Sequence, residues 1–273
     1  MTARQPTPQE QARLDAIKKQ WEQKRRIGEH FGKISNKVAV YSGKGGVGKT
    51  TVSVNLATLL ALQGSKVGIL DADIDCPNVI QAMNVRQGPT YQNGEFIPGE
   101  QWGVKVLSMG FFQENPDEAI IFRGPMIHNT ITQFLEGTDW DELDYLITDL
   151  PPGTSDAPLT IMQTLPLDGF VIVSAPQELA QLDAKRSINM IRKMNMSVLG
   201  LVENFSGAMF GTGSSERLSD ELGVPFLGSI TMRSEYLDMS KPLVLTNDGV
   251  RREYEQIIDG IRNKLQANRM APT

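Results

Sequence analysis

Short, largely apolar runs of strand length recur along most of the chain and alternate with segments of helical periodicity. These runs are KVAVYS (37–42), KVGILD (66–71), VKVLSM (104–109), YLITDL (145–150), GFVIVSA (169–175) and VLGLVEN (198–204). Runs that are apolar at almost every position are typical of strands buried on both faces of a parallel sheet. The pattern therefore predicts an α/β fold, in which a mostly parallel, twisted sheet is covered by helices on both faces.

The N-terminal segment departs from this alternation. Residues 8–32 place Leu14, Ile17 and Trp21 at helical spacing among Gln, Lys, Glu and Arg side chains, which predicts a helix with one apolar stripe. We therefore divide the chain into a basic helical N-terminal arm, residues 1–36, and one domain, residues 37–273.

Two other segments also differ from the alternating pattern. Residues 85–103 are rich in Gly, Gln, Asn and Pro, which favours a loop or a hairpin. Residues 250–268 have one apolar face at helical spacing, and such a helix either packs on the sheet or lies on a membrane surface. Because its polar face mixes acidic and basic side chains, packing on the sheet is favoured.

Composition and charge narrow the classes of partner. The chain is 40% hydrophobic with a net charge of −5, and its residues 1–36 carry +4 against −9 for the rest. This mild balance makes nucleic acid an unexpected main partner, and the basic arm is better explained as a solvated helix face than as a contact to nucleic acid or an acidic protein. No apolar run approaches the roughly 18 residues of a membrane span. The single cysteine, Cys76, and an N-terminus without an apolar core predict a cytoplasmic protein.

The stretch GKGGVGKTT, residues 43–51, matches the phosphate-binding pattern G-x-x-x-x-G-K-[ST]. It follows a predicted strand and opens a predicted helix, which is the context that such a loop requires. Lys49 is expected to contact the β- and γ-phosphates, and the Thr50 hydroxyl is expected to bind Mg²⁺. The loop positions predicted to contact the nucleotide are Gly43, Gly45, Gly46, Val47, Gly48, Lys49, Thr50 and Thr51.

Acidic residues follow two of the predicted strands. Asp73 stands after the second run and Asp149 lies near the end of the fourth, so both are expected at the carboxyl edge of the sheet, beside the loop. The predicted Mg²⁺ ligands are Thr50, Asp73 and Asp149. Asp71 and Asp75 are better explained as turn formers or helix caps. The Asn-Lys-x-Asp sequence of guanine-specific proteins is absent, which favours ATP as the nucleotide.

With these residues the chain resembles the deviant-Walker P-loop ATPases, the group that contains MinD, ParA and nitrogenase iron protein. Within this group it is most similar to the Mrp/ApbC-type iron–sulfur cluster carriers. The matching stretches cover most of residues 37–265 and are GKGGVGKTTVSVNLA, DADIDCPNV, VLSMGFF, RGPM, YLITDLPPGTSDAPLT, APQELAQLDAKRS and LVENFS.

The resemblance implies roles for individual residues. Lys44, the early lysine of the loop, would reach across a homodimer to the nucleotide of the partner subunit, so that Lys44, Lys49 and Asp73 form the catalytic set. Asp73 would orient the attacking water, and Asp149 would lie near Mg²⁺. The amide of Gly153 would sense the γ-phosphate. Asn204 would contact the edge of the adenine.

One feature of the family is missing. Carriers of this type place Cys-x-x-Cys shortly after the stretch matching LVENFS, and their dimer holds a [4Fe–4S] cluster through four thiolates. This chain reads NFSGAMFGTGSSERL there, so two subunits supply only two Cys76 thiols and a four-cysteine bridging site cannot form. We expect Cys76 itself to be a small buried or half-buried thiol.

The sequence therefore predicts a slow, Mg²⁺-dependent, homodimeric ATPase. The resemblance implies a role in iron–sulfur cluster assembly or carriage, with iron–sulfur apo-proteins or assembly factors as partners. Two alternatives stay open at this point. One is an ATP-switched scaffold or adaptor without a cluster, and the other is a positioning ATPase like MinD or ParA that acts on membrane or DNA.

Overall fold

The computed structural model describes residues 7–112, 134–154 and 156–270. In these ranges the helices are α1 (Pro8–Gly32), α2 (Lys49–Leu62), α3 (Val79–Met83), α4 (Asp156–Thr164), α5 (Glu178–Lys193), α6 (Ser214–Leu222) and α7 (Asp248–Met270). The strands are β1 (Ile34–Tyr41), β2 (Val67–Asp71), β3 (Thr90–Gln92), β4 (Glu95–Ile97), β5 (Gly99–Gln101), β6 (Val104–Ser108), β7 (Leu143–Asp149), β8 (Gly169–Ser174), β9 (Val198–Ser206) and β10 (Phe226–Thr231).

An eight-stranded sheet forms the centre of the fold, with the strand order β10-β9-β8-β1-β7-β2-β6-β5. All neighbouring strands in it run parallel except β5, which pairs antiparallel with β6. The short strands β3 and β4 form a separate antiparallel hairpin inside the region 85–103. The predicted α/β fold with a mostly parallel sheet is confirmed, and β1 lies between β7 and β8 at its middle.

Helices cover both faces of this sheet, as the apolar strands require. Along β1, Val38 and Val40 belong to one core cluster, whereas Ala39 and Tyr41 belong to the other. The first cluster contains apolar side chains of α2 and α7, and the second contains side chains of α4 and α5. Because successive residues of a strand face opposite sides, β1 has to be apolar at consecutive positions.

The C-terminal helix α7 packs on the sheet, which confirms that interpretation of its apolar face. Its buried side chains are Val250, Tyr254, Ile257, Ile258, Ile261 and Leu265. No helix within the described ranges is both long and apolar enough to cross a membrane.

The N-terminal helix α1 begins with a capping box, in which Thr7 and Glu10 each bond the other's backbone N–H. Its last turns reach the core through the buried Ile27 and Phe31. The stripe that contains Trp21, which is 74% exposed, lies on the surface. The division of the chain at residue 36 stays a prediction.

The sequence patterns placed most strands within a few residues of their observed bounds but missed β10. Its sequence FLGSIT is interrupted by Gly228 and Ser229, so it lacks the continuous apolar run that marked the other strands. β9 also runs two residues beyond the predicted segment, to Ser206.

Candidate nucleotide-binding site

The loop between β1 and α2 depends on glycines at two positions with left-handed backbone angles. Gly46 has a φ of +82° and Gly48 a φ of +79°, a region that other residues rarely adopt. Gly48 is also crowded, because a Cβ atom built on it would lie 2.2 Å from Nδ2 of Asn204. The turn leads into the first N–H groups of α2, which have no partners inside the helix and favour an anion.

The start of the loop lies close to α5. A Cβ atom on Gly43 would approach the carbonyl oxygen of Asp183 to 2.4 Å and Oγ of Ser187 to 2.6 Å. Glycine is therefore required at this position for close packing of the loop against the helix.

A buried ion pair stands at the centre of the site. Nζ of Lys49 lies 2.9 Å from Oδ1 of Asp149, with the two side chains only 7% and 1% exposed. The hydroxyl of Thr50 donates to Oδ2 of Asp149 at 2.7 Å, and that of Ser53 donates to Oδ1 at 2.7 Å. The sequence did not single out Ser53, although it follows Lys49 by four residues and so lies on the same face of α2.

The donor chemistry around Asp149 fits Mg²⁺. The Thr50 hydroxyl and the Asp149 carboxylate are adjacent oxygen donors at the mouth of a loop that can hold phosphates, and Mg²⁺ takes few protein ligands in addition to phosphate oxygens and water. Among the described residues there is no group of three or more His, Cys, Asp or Glu side chains that could hold a metal ion on its own.

Asp71 is the last residue of β2, beside β7, and Asp73 follows it in the turn. The side chain of Asp73 is buried, and its Oδ1 accepts the N–H of Cys76 at 3.1 Å. Burial raises the pKa of the Asp73 carboxyl. Asp71 lies deeper, where its carboxylate accepts the N–H groups of Asp73 and Val79 and the hydroxyl of Ser108. Asp71 thus forms the turn, as the sequence suggested.

The environment of Asp71 disfavours its charge. Its register partner on β7 is Asp149, so two carboxylates end neighbouring strands. Burial away from water, and then repulsion from Asp149, raise the pKa of Asp71 to about 7, although its hydrogen bonds and the Lys49 ammonium act in the opposite direction.

Gly153, the residue predicted to sense the γ-phosphate, is bonded to the end of β1. Its N–H donates to the carbonyl of Ser42 at 3.0 Å, and its carbonyl accepts the hydroxyl of Tyr41. Its φ is +86°, and a Cβ atom there would meet nothing within 4 Å. Glycine is therefore needed for the backbone angle and not for space. Sequence patterns gave no indication of Tyr41 or Ser42 as partners of this residue.

Two predicted site residues differ in how the fold holds them. Lys44 is exposed on the loop, and its ammonium makes no salt bridge with any residue of the described ranges. Asn204 is buried at the end of β9, where Nδ2 donates to the carbonyl of Val47 at 2.9 Å. The adenine contact of Asn204 stays a prediction.

Cys76 is exposed, so the expectation of a buried or half-buried thiol is wrong. It lies in the turn between β2 and α3, whose interior is occupied by the inward-facing carboxylates of Asp71 and Asp73. The hydrogen bonds of these two acids fix the turn, and the thiol is left on the outside.

The segment where carriers place Cys-x-x-Cys forms a closed glycine turn. Gly207 and Gly211 exchange two backbone hydrogen bonds of 3.0 and 2.8 Å, and Met209 at the tip is 77% exposed. The buried Glu203 holds the far side of the turn by accepting the N–H groups of Gly213 and Ser215. This segment offers no thiolate, so its donor chemistry does not fit an iron–sulfur cluster.

Comparison with known proteins adds the family. The family model described as the NUBPL iron-transfer P-loop NTPase, of the ParA group, matches residues 33–265. The chain is 40% identical to the iron–sulfur cluster carrier protein of Methanocaldococcus jannaschii, over 91% of both chains. It is 39% identical to the protein of that name from Pyrococcus horikoshii, over 88% of this chain and 90% of the other.

Solved structures agree with this assignment. A nucleotide-binding protein of Archaeoglobus fulgidus, determined in complex with ADP, is 37% identical and superposes with a TM-score of 0.70 over 80% of this chain and 90% of that one. The cell division ATPase MinD of Pyrococcus furiosus shares the fold at 20% identity, with a TM-score of 0.64 over 84% of this chain and 99% of that one. On the match of the family model and of these relatives, the chain belongs to the NUBPL iron-transfer family of P-loop NTPases.

Proposed function

We propose that this protein is a slow, Mg²⁺-dependent ATPase that works as a homodimer in iron–sulfur cluster assembly or carriage. The observation on which the proposal rests is the convergence of Lys49, Thr50 and Asp149 at the mouth of the glycine loop. These three side chains are the cation, the hydroxyl and the carboxylate that a Mg²⁺–ATP site of this class uses.

The existing contacts suggest how the site would work. In the proposal, Lys49 leaves Asp149 to bind the β- and γ-phosphates, while the Thr50 hydroxyl and the Asp149 carboxylate hold Mg²⁺. The metal ion would neutralise charge on the phosphates when bound. Asp73 would orient the attacking water. Because Lys49 must give up a buried ion pair before it can bind phosphate, the exchange of partners couples nucleotide binding to a change inside the protein.

The exposure of Lys44 supports the proposal of a homodimer. An exposed lysine on a phosphate loop, without a salt bridge to any described residue, is available to a nucleotide held by a second subunit. A cation placed on developing phosphoryl charge is most effective in a closed site that excludes water. In the proposal, hydrolysis therefore requires two subunits that face each other.

The iron–sulfur cluster would be the cargo of this ATPase and not a resident cofactor. The relatives named as iron–sulfur cluster carrier proteins support this role. With one cysteine per chain, the protein would hold a cluster through the exposed Cys76 of each subunit and through ligands of an iron–sulfur apo-protein or an assembly factor. The single cysteine also fits a reducing compartment, so we place this activity in the cytoplasm.

A second candidate function follows from the closed turn Gly207–Gly211, which offers no thiolate. In that case the protein would be an ATP-switched adaptor that recruits a partner without holding a cluster.

One experiment separates the two candidates. The purified protein is reconstituted anaerobically with iron and sulfide, and bound iron, ATP binding and ATP hydrolysis are measured in parallel, with Lys49→Ala as the control without activity. If the protein is a cluster carrier, wild-type dimers should hold iron and sulfide. The Cys76→Ala variant should lose both and still hydrolyse ATP. A protein that stays free of iron but still binds ATP is the adaptor, and one that neither holds iron nor binds ATP contradicts both.

A further inference from the structure

We infer that Tyr41 is a positioning residue for the nucleotide response, because its hydroxyl and the Ser42 carbonyl together hold Gly153 in a resting conformation that turns its amide away from the nucleotide. This inference rests on the proposed function, since it concerns how the same site distinguishes ATP from ADP. It adds a residue that neither the loop motif nor the strand-end aspartates include.

Two hydrogen bonds hold the backbone of Gly153. The Gly153 N–H donates to the Ser42 carbonyl, and the Tyr41 hydroxyl donates to the Gly153 carbonyl. Both backbone polar groups of Gly153 are thus satisfied by Tyr41, the last residue of β1, and by Ser42, which follows it. Since an N–H group that already donates to a carbonyl is not free for a phosphate, Gly153 must leave Ser42 before it can bond the γ-phosphate.

The contact between Gly153 and Ser42 continues the pairing of β1 with β7. β1 and β7 pair in parallel up to Val40 and Asp149, and the N–H of Leu150 then bonds the carbonyl of Val40. The bond from Gly153 to Ser42 extends this ladder over the loop that follows β7. Backbone hydrogen bonds of the same kind as in the sheet therefore hold the loop after β7 against the end of β1. The Tyr41 hydroxyl adds one side-chain hydrogen bond, to the Gly153 carbonyl.

Tyr41 is held firmly in its position. Its side chain is fully buried in the cluster that contains the apolar residues of α5, so it has little freedom to rotate away. Burial raises the pKa of its hydroxyl to about 12, so the group stays a hydrogen-bond donor throughout the neutral range. Gly153 in turn has the backbone freedom to change φ when the loop opens.

The consequence concerns affinity for the γ-phosphate. A ligand that needs a minor conformation binds more weakly in proportion to how rarely the protein adopts it. Removing one hydrogen bond from the resting state should make the open loop about three to ten times more populated. ATP analogues should then bind about three to ten times more tightly, while ADP, which has no γ-phosphate, should bind as before.

The test compares Tyr41→Phe with wild type by titration with a non-hydrolysable ATP analogue and with ADP, both with Mg²⁺. The matched control is Tyr254→Phe, which removes a buried phenol hydroxyl from the core on the opposite face of the sheet. We expect selective strengthening of analogue binding in Tyr41→Phe and no selective change in the control. Equal changes for both nucleotides, no change, or weaker analogue binding would overturn the inference.

A second measurement uses the wild-type protein and does not depend on how the variant folds. Hydrogen exchange of the Gly153 amide should be slow without nucleotide and with ADP. Its rate should be different with the ATP analogue, because the amide then leaves the Ser42 carbonyl. Fast exchange without nucleotide would contradict the resting conformation. If neither nucleotide binds the wild-type protein, the proposed function fails, whereas binding of both without a Tyr41 effect removes only this inference.

Discussion

Replacement of Asp149 by asparagine should strongly destabilise the nucleotide-free protein. The carboxylate of Asp149 is buried with the Lys49 ammonium, and it also accepts the hydroxyls of Thr50 and Ser53. The Asp149→Asn change leaves the buried ammonium without its counter-charge. It also replaces a carboxylate oxygen with an amide nitrogen, which cannot accept the donors that face it.

The magnitude follows from these contacts. Breaking a buried ion pair by removing one charge costs about 3–5 kcal/mol of unfolding free energy. Relief of the repulsion between Asp149 and Asp71 acts in the opposite direction, so we expect a loss at the lower end, about 3 kcal/mol. For a chain of this size, 1 kcal/mol corresponds to a shift of roughly 2–4 °C, so the melting temperature should fall by about 6–12 °C.

The assay is thermal or urea unfolding of the nucleotide-free protein, with Asp259→Asn as the control. Asp259 pairs with Arg262 on the exposed side of α7, at 3.8 Å, and surface pairs of this kind contribute about 0–1 kcal/mol. A second variant, Lys49→Met combined with Asp149→Asn, should be less destabilised than the two single changes added together. If Asp149→Asn is as stable as the control, the buried pair does not hold the site together and our reasoning about it is wrong.

Two further predictions concern the loop and the neighbouring acid. Gly48→Ala should destabilise the protein by roughly 1–3 kcal/mol, because Gly48 has a left-handed φ and its added Cβ would clash with Asn204. Gly45→Ala is the control, because its Cβ would meet only a Pro152 carbon at 3.8 Å and should not destabilise the protein. Thermal unfolding of the two variants measures the difference. For Asp71, the raised pKa means that its contribution to stability is complete below pH 3.8 and is lost as the pH rises through about 7. Asp71→Asn should therefore flatten the dependence of unfolding free energy on pH in this window, and an unchanged dependence would exclude Asp71 as its origin.

The sequence predicted those parts of the fold whose physical cause is local. Continuous apolar runs predicted β1 and its neighbours in the sheet, β7 and β8. The helical spacing of Val250, Tyr254 and Ile258 predicted the buried face of α7. The loop itself was predictable because the glycine and lysine spacing is a local requirement of phosphate binding.

Contacts between distant segments were not predictable in the same way. The hydroxyl of Tyr41 meets Gly153 across 112 positions of sequence, and no local pattern indicates that pairing. Cys76 is exposed because the carboxylates of Asp71 and Asp73 face the interior of the turn. Their hydrogen bonds form only in the folded turn, so the sequence pattern does not show them. The strand β10 was missed because glycine and serine interrupt its apolar pattern, while its neighbours in the sheet supply the stability that its own sequence does not indicate.

The most direct test of the proposed mechanism is a mixing experiment with two inactive variants. Lys44→Ala should bind ATP but not hydrolyse it, and so should Asp73→Asn, for a different reason. In a mixed dimer, the site built on the Lys44→Ala subunit keeps its own Asp73 and receives Lys44 from the other subunit. A mixture in equal amounts should hydrolyse ATP at about a quarter of the wild-type rate, since half of randomly paired symmetric dimers are mixed and each has one complete site. A rate no higher than the sum of the separate variants would contradict a site that is completed by the partner subunit.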